Sequence, residues 1–251
     1  MFSTLHRSSF RHGGLTAGFA VAALALTGLM VPLAQGAESG ETQTNLGCLP
    51  QDRLGGQNAI ETSALVAARA YPEGSENFLV ASARNPVDAL PAAALGWGPV
   101  LLTDGLNWDL HTLATLNTAY IVGGPGAVPT SAEMFFTEHG IEHQRMQGAD
   151  RHQTAAAIAD SWTSTNGQPE YVYVTRNAGA GSPDAVAASG VRNGPILTFT
   201  TPASLHAAAA KIQSLKPQSG VVVLGGTSVV SAAEAQVLAG GLPWQRLSGQ
   251  D

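Results

Sequence analysis

The stretch that most constrains this chain is Gln144 to Ala159, QRMQGADRHQTAAAIA, because shortened forms of it recur. Arg53-Leu54-Gly55-Gly56 leads to Thr62, Arg145-Met146-Gln147-Gly148 leads to Thr154, and Arg246-Leu247-Ser248-Gly249 begins the pattern once more. A recurrence at this spacing marks repeated structural units. The expected division is a segment 1–36, a spacer 37–48, a first unit 49–148 and a second unit 149–251.

In the first segment, Arg7 and Arg11 precede an uncharged run from Leu15 to Leu33, and Ala34-Gln35-Gly36 follows. Basic, apolar and small residues in that order read as a secretory signal cut near Gly36. A membrane anchor is the alternative, since the run approaches the length that spans a bilayer. Signal cleavage would leave no membrane partner. Residues 37–48 are polar and read as a flexible spacer. Cys48 is the only cysteine, so no intrachain disulfide can form and stability rests on packed cores. Asn45-Leu46-Gly47-Cys48 departs from a lipoprotein attachment box, with Asn45 where an aliphatic residue belongs.

The two units carry the same order of elements. In the first, Ile60 to Ala68 is helical, Phe78 to Ala83 a strand, and Asn85-Pro86-Val87-Asp88 a helix start. Val100 to Thr103 is a strand, Trp108 to Leu116 a helix, and Ala119 to Val122 a strand that enters Gly123-Gly124. Thr130 is expected to cap a helix, and Ile141 to Met146 is a strand. In the second unit, His152 to Trp162 is helical, Tyr171 to Thr175 a strand, and Ser182-Pro183-Asp184 a helix start. Ile196 to Thr200, Val221 to Leu224 and Trp244 to Leu247 are strands, with helices from Ala203 to Leu215 and Ser231 to Leu238 between them. Strands without polar alternation are buried on both faces. The fold class is therefore α/β, as two tandem three-layer domains, each a mostly parallel sheet flanked by helices.

Twelve Lys and Arg face 18 Asp and Glu, and two of those cations lie in the first segment. This acidity argues against nucleic acid and leaves capture of an anionic polymer to a local site. Asp150 stands where it can accept from the first-turn N–H groups of a helix, with Arg151 offering a fork of donors; a structural cap and ion pair is the alternative reading. Gly225-Gly226-Thr227-Ser228 joins a strand to a helix and could present bare N–H groups to an anion, or be a tight turn. Arg84-Asn85 and Arg176-Asn177 follow strand ends, the side on which open α/β sheets place ligands. Trp97, Trp108 and Trp244 are assigned to the core by default.

No G-x-S-x-G elbow, phosphate-binding loop with Lys or His-Glu-x-x-His helix occurs. Gly140 separates His139 from His143, so these two do not share a helical face for zinc. No catalytic residue, metal or cofactor is assigned.

These motifs together resemble the cell wall-binding repeat type 2 proteins of Gram-positive bacteria. The pieces are R-x-x-G-x-D-R-x-x-T-A at Arg145 to Ala155, Pro183-Asp184-Ala185 with Val87-Asp88-Ala89, Gly98 to Thr103 with Gly194 to Leu197, and the Gly-Gly turns after Val122 and Leu224. The resemblance implies an exported, non-catalytic module that holds an anionic wall polymer or polysaccharide without a covalent bond. It further implies toprim-like domains, usually in three copies as a threefold cluster, with polymer binding by an aliphatic P-I-L-L segment. By position that segment is Pro99, Val100, Leu101 and Leu102, then Pro195, Ile196 and Leu197, with Thr198 as the last residue. The first unit has Asn58-Ala59 in place of Asp150-Arg151, and only two complete copies are present, so association of chains is one way to a cluster. A peptidoglycan hydrolase, or a modifier of one, and a self-assembling surface protein are the alternative functions.

Overall fold

Each half of the chain builds one parallel sheet, in a computed structural model that describes residues 53–105, 117–177 and 183–249. The N-terminal apolar segment, the spacer with Cys48, the expected helix from Trp108 to Leu116 and Ser182 lie outside the described residues. The first half runs α1 (Ala59–Ala70), β1 (Asn77–Ser82), a 3-10 turn (Pro86–Asp88) into α2 (Ala89–Ala93), β2 (Val100–Thr103), β3 (Thr118–Val122), α3 (Ser131–Glu138) and β4 (Glu142–Met146). The second runs α4 (Arg151–Asn166), β5 (Tyr171–Arg176), α5 (Pro183–Ala188), β6 (Ile196–Phe199), α6 (Pro202–Leu215), β7 (Gly220–Leu224), α7 (Ala232–Ala239) and β8 (Trp244–Leu247). Strand orders are β2-β1-β3-β4 and β6-β5-β7-β8, with every pair parallel. Among the described residues no helix is long and apolar enough to cross a membrane.

The recurring motif is explained by its local bonds. Asn58 Oδ1 accepts from Glu61 N–H at 2.9 Å to start α1, and Asp150 Oδ1 accepts from His152 and Gln153 N–H at 2.8 Å to start α4. Each bond closes an N–H that the helix itself leaves open. One turn later, Thr62 and Thr154 hydroxyls accept from Gly56 and Gly148 N–H, both at 3.0 Å. The motif arginine acts backwards, on the unit it ends. Arg145 Nη1 donates to the Gly123 carbonyl at 2.7 Å, and Arg246 Nη1 to that of Gly225 at 2.6 Å, so each clamps a Gly-Gly turn. The Gly before each Pro of the aliphatic segment is set by close approach. A Cβ on Gly98 would stand 2.0 Å from Asn77 O, and one on Gly194 1.7 Å from Tyr171 O.

Two starts differ from the sequence expectation. Asn85 makes no side-chain cap bond, and its segment opens as a 3-10 turn over Pro86–Asp88. Thr130 is itself helical in backbone and caps nothing through its side chain.

The sheets alternate faces strictly. Phe78, Val80, Leu101 and Ile121 pack under α1 and α3, while Leu79, Val122 and Met146 form the opposite face. In the second half Val172, Val174, Leu197 and Phe199 pack with Leu205, Ile212 and Leu238. What joins the halves is α4. Its Ala159 belongs to the second sheet's core, whereas Ile158 and Trp162 enter the free face of the first sheet beside Leu79, Leu95 and Met146. Trp162 is only 4% exposed.

At the same junction Asp88 is 7% exposed, and its Oδ1 has no hydrogen-bond partner. Its carboxylate lies against Gly123, where a Cβ would meet Oδ2 at 2.8 Å. Burial pushes the Asp88 pKa up to about 6, opposed by the positive charge of Arg151 on α4.

Truncation of Trp162 to alanine should lower stability by about 3–5 kcal/mol, as deletion of a buried aromatic does, read from urea denaturation. The Asp88 shift has a definite sign. The unfolded chain ionises first, so stability falls as pH rises between the unfolded pKa of 3.8 and the folded one of about 6, then levels off. Asp88→Asn removes that loss, so its advantage over the wild type should be small at low pH and grow to about 3 kcal/mol above pH 6.5, read from urea midpoints across pH.

Candidate functional site

Between α4 and α6, over the end of β6, lies a groove of about 430 Å³ in which Asp150, Arg151, His152, Thr198, Ser204 and Lys211 converge with Leu197 beneath. The local folding that builds it is legible bond by bond. Asp150 caps α4, which puts Arg151 and His152 in the first turn at the groove mouth. Thr201 and Ser204 form a capping box with Pro202 at the first helical position, which starts α6 on the facing wall.

His152 spans the groove floor. Its Nδ1 is 2.9 Å from Thr198 Oγ1 and its Nε2 2.7 Å from Thr200 Oγ1. Burial lowers the His152 pKa, the nearby Asp150 opposes the shift and Arg151 adds to it, so the ring is neutral at pH 7. A neutral ring has one N–H, so one threonine hydroxyl accepts from it and the other donates to it. Arg151 is half-buried and makes no ion pair within 4.0 Å among the described residues. Lys211 pairs with Asp160 across the helices, Asp160 being 63% exposed in its side chain. The groove thus offers a guanidinium, an ammonium whose partner is largely solvated, and several hydroxyls.

The first half shows what the fold itself requires here. Counting from the cap, Ile60 occupies the place of His152, and by strand register Leu102 occupies that of Thr198. An apolar pair serves there, so the imidazole and hydroxyls of the second half are additions to a frame that does not need them.

The other sequence candidates fall elsewhere. Leu101, Ile196 and Leu197 are core residues at 6%, 1% and 1% exposure, because β2 and β6 are covered on both faces. Val100 and Leu102 are half-buried, and of the aliphatic segment in the second half Leu197 reaches the groove. Arg176 is spent on the protein. Its Nη1 donates to Thr200 O at 2.7 Å, Nε to Val229 O at 2.9 Å and Nη2 pairs with Glu234, while the guanidinium lies 4.8 Å over the Phe199 ring. The repeated Arg-Asn is also not a structural repeat. Ser82 pairs with Thr103 where Arg176 pairs with Phe199, so Arg84 and Asn85 stand two residues further on, exposed. The longer α4 displaces the sequence of the second half by two positions relative to the first. Asn177 is buried at 2%, and its Oδ1 has no partner.

At Gly225-Gly226-Thr227-Ser228 the Gly225 N–H is taken by Leu247 O at 2.9 Å, and the loop turns back on itself. Val229 and Val230 N–H both donate to Gly226 O at 3.0 Å, and α7 starts later. The α7 end is closed by its own capping box, Ser231 N–H donating to Glu234 Oε2 at 2.9 Å. The bonds from Ser231, then the partnership with Arg176, hold Glu234 below the usual carboxylate range. The Asp184 carboxylate lies against Gly225, a negative charge where an anion would have to sit. The loop is a tight turn.

His139 stacks on Phe135 with centroids 4.1 Å apart, and His143 lies apart from it on β4. No group of three or more His, Cys, Asp or Glu among the described residues could hold a metal ion. Trp97 packs at 4.6 Å from Tyr120, whereas Trp244 is 39% exposed on the edge strand β8, contrary to its default assignment; Trp108 lies outside the described residues. Sequence reasoning missed His152, Thr200, Thr201, Ser204 and Lys211. The one local signal was Thr198 standing where a leucine was expected.

Comparison with known proteins gives a consistent picture. Residues 53–133 and 145–234 match the family model described as cell wall binding domain 2 (CWB2). The chain is 30% identical over 187 residues to N-acetylmuramoyl-L-alanine amidase LytC of Bacillus subtilis (strain 168), a match covering 71% of this chain and 37% of the amidase. Its fold resembles Cwp6 from Clostridium difficile, with a TM-score of 0.64 at 20% identity over 79% of this chain and 33% of that one. Cwp8 from the same organism is similar, with a TM-score of 0.63 at 22% identity over 79% and 35%. The chain thus spans well under half the length of the relatives it matches. With two family matches spread over most of its length and a matching fold, the chain belongs to the cell wall binding domain 2 family.

Proposed function

We propose that this chain is an exported, non-catalytic wall anchor, and that the groove between α4 and α6 holds an anionic polymer of the cell wall. The observation that carries the reading is the replacement of Ile60 and Leu102 by His152 and Thr198 at equivalent places. A fold indifferent to that change gains from it a polar trough with Arg151 and Lys211 on its walls. A guanidinium beside hydroxyls suits a phosphate or carboxylate on a flexible chain, with bidentate donation from Arg and point charge from Lys. The overall acidity of the chain keeps attraction local to this trough.

Cosedimentation of the exported chain with native walls, and with walls stripped of their secondary polymers, tests the reading. Binding should be lost on stripping, and Arg151→Gln combined with Lys211→Gln should weaken it about tenfold, the scale of one or two charge-assisted bonds. Unchanged binding by a folded double variant would remove the groove from the site. Loss of turbidity of purified walls would overturn the non-catalytic part and favour the hydrolase alternative.

The pH dependence gives a separate check. An anion beside His152 stabilises the imidazolium and raises its pKa, so affinity should rise between pH 7.5 and 5.5 by linkage. His152→Gln should flatten that rise, measured by the same cosedimentation.

A further inference from the structure

The groove between α4 and α6 has two unlike ends, and their difference bears on what kind of chain it takes. His152 in the first turn of α4 touches Thr200, just ahead of α6, while Asp160 further along α4 pairs with Lys211 further along α6. The two helices therefore run side by side in the same direction, with the groove between them. Lys211 lies seven residues beyond Ser204, which sets the ends about 10 Å apart at the rise of an α-helix. At the first end stands Arg151, with no carboxylate within 4.0 Å among the described residues. Between the ends the lining is Ala156, Ala203, Ala207 and Ala208, so the walls are apolar and only methyl groups narrow them.

The fold does not demand these ends. Counting from the caps Asn58 and Asp150, the first half has Ala59 in the place of Arg151, Ile60 in that of His152 and Ala68 in that of Asp160. Ala64 and Ala156, in the middle, are the same residue at the same place. The polar groups that α4 adds are thus confined to the two ends of a shared frame. The far end also differs from the first in charge. Lys211 is already paired with Asp160, so that end is neutral as a whole, and the largely exposed Asp160 carboxylate meets whatever approaches the ammonium.

We propose that the groove reads a two-sugar segment of an acidic polysaccharide in which one ring carries an anionic group and the next does not. The anion lies on Arg151, the C–H faces of the sugars lie against the alanines, and hydroxyls of the uncharged ring meet the Lys211–Asp160 pair. A hydroxyl both donates and accepts, and an ammonium beside a carboxylate answers both needs. A chain charged at every unit instead brings a second anion against Asp160, where like charges repel. This deepens the anionic-polymer reading of the same groove and rests on it.

Isothermal titration calorimetry on the exported chain, at one ionic strength, tests this. The probes are hyaluronan hexasaccharide, with a carboxylate on every second ring, galacturonate hexasaccharide, with one on every ring, polyphosphate, and the neutral chitin hexasaccharide. Hyaluronan should bind most tightly, although galacturonate and polyphosphate carry more charge, and the neutral probe should be the weakest. Asp160→Asn should tighten galacturonate and polyphosphate about fivefold, the scale of one exposed charge, and leave hyaluronan no tighter. Ala207→Leu, at an exposed position, should fill the groove and weaken hyaluronan at unchanged melting temperature. Tighter binding of galacturonate or polyphosphate to the wild type, or an Asp160→Asn effect equal on all charged probes, would overturn the proposal and leave the groove an anion site. Absence of binding by every charged probe would also overturn it, and wall cosedimentation of the Arg151→Gln, Lys211→Gln variant then decides whether the groove reading falls with it.

Discussion

The structure depends on burial of both faces of a parallel sheet. Strands such as Gly220–Leu224 and Ile196–Phe199 are buried at every position, which leaves no face for water. The first sheet can meet that demand on its second face only by borrowing, and α4 is what it borrows. One helix therefore serves two cores, with Ala159 turned to one and Ile158 and Trp162 to the other. The halves are consequently coupled through a shared apolar contact, and Asp88 is trapped at that junction without a full set of hydrogen bonds.

The same helix positions the candidate site. Because Asp150 caps α4 at its start, the two residues that follow are held at the mouth of the groove before any ligand arrives. His152 is fixed by two threonine hydroxyls, a cross-link between helix and sheet at places that the first half fills with Ile60 and Leu102. A site built in this way inherits the rigidity of the junction. Pre-set donors lose less freedom on binding than loop side chains would.

Much of the fold was legible before any coordinates. Element order followed from the doubling of the motif, and the strands Val100–Thr103 and Trp244–Leu247 have the bounds that their sequence suggests. The cap at Asp150 was equally plain, since an acid before a helical run has few other uses. The site was read less well. Arg176 was judged by its place after a strand, and its three hydrogen-bonded partners, Thr200, Val229 and Glu234, are all distant in sequence. Pairing it with Arg84 failed because a two-residue difference in the preceding helix segment is invisible to motif matching. The surroundings of the glycine loop were equally hidden: Asp184 comes to lie against Gly225 from an element about 40 residues earlier.

By itself the sequence determined the repeat, the α/β class and the cap at Asp150, because the class follows from apolar strands alternating with helical runs and the cap bonds residues within one turn. Tertiary structure alone decided which face each helix covers, which arginines are already committed, and where Arg151, His152, Thr198 and Lys211 meet. These depend on contacts between elements far apart in the chain, such as those from His152 to Thr198 and Thr200 and from Arg176 to Val229, and no local pattern encodes them.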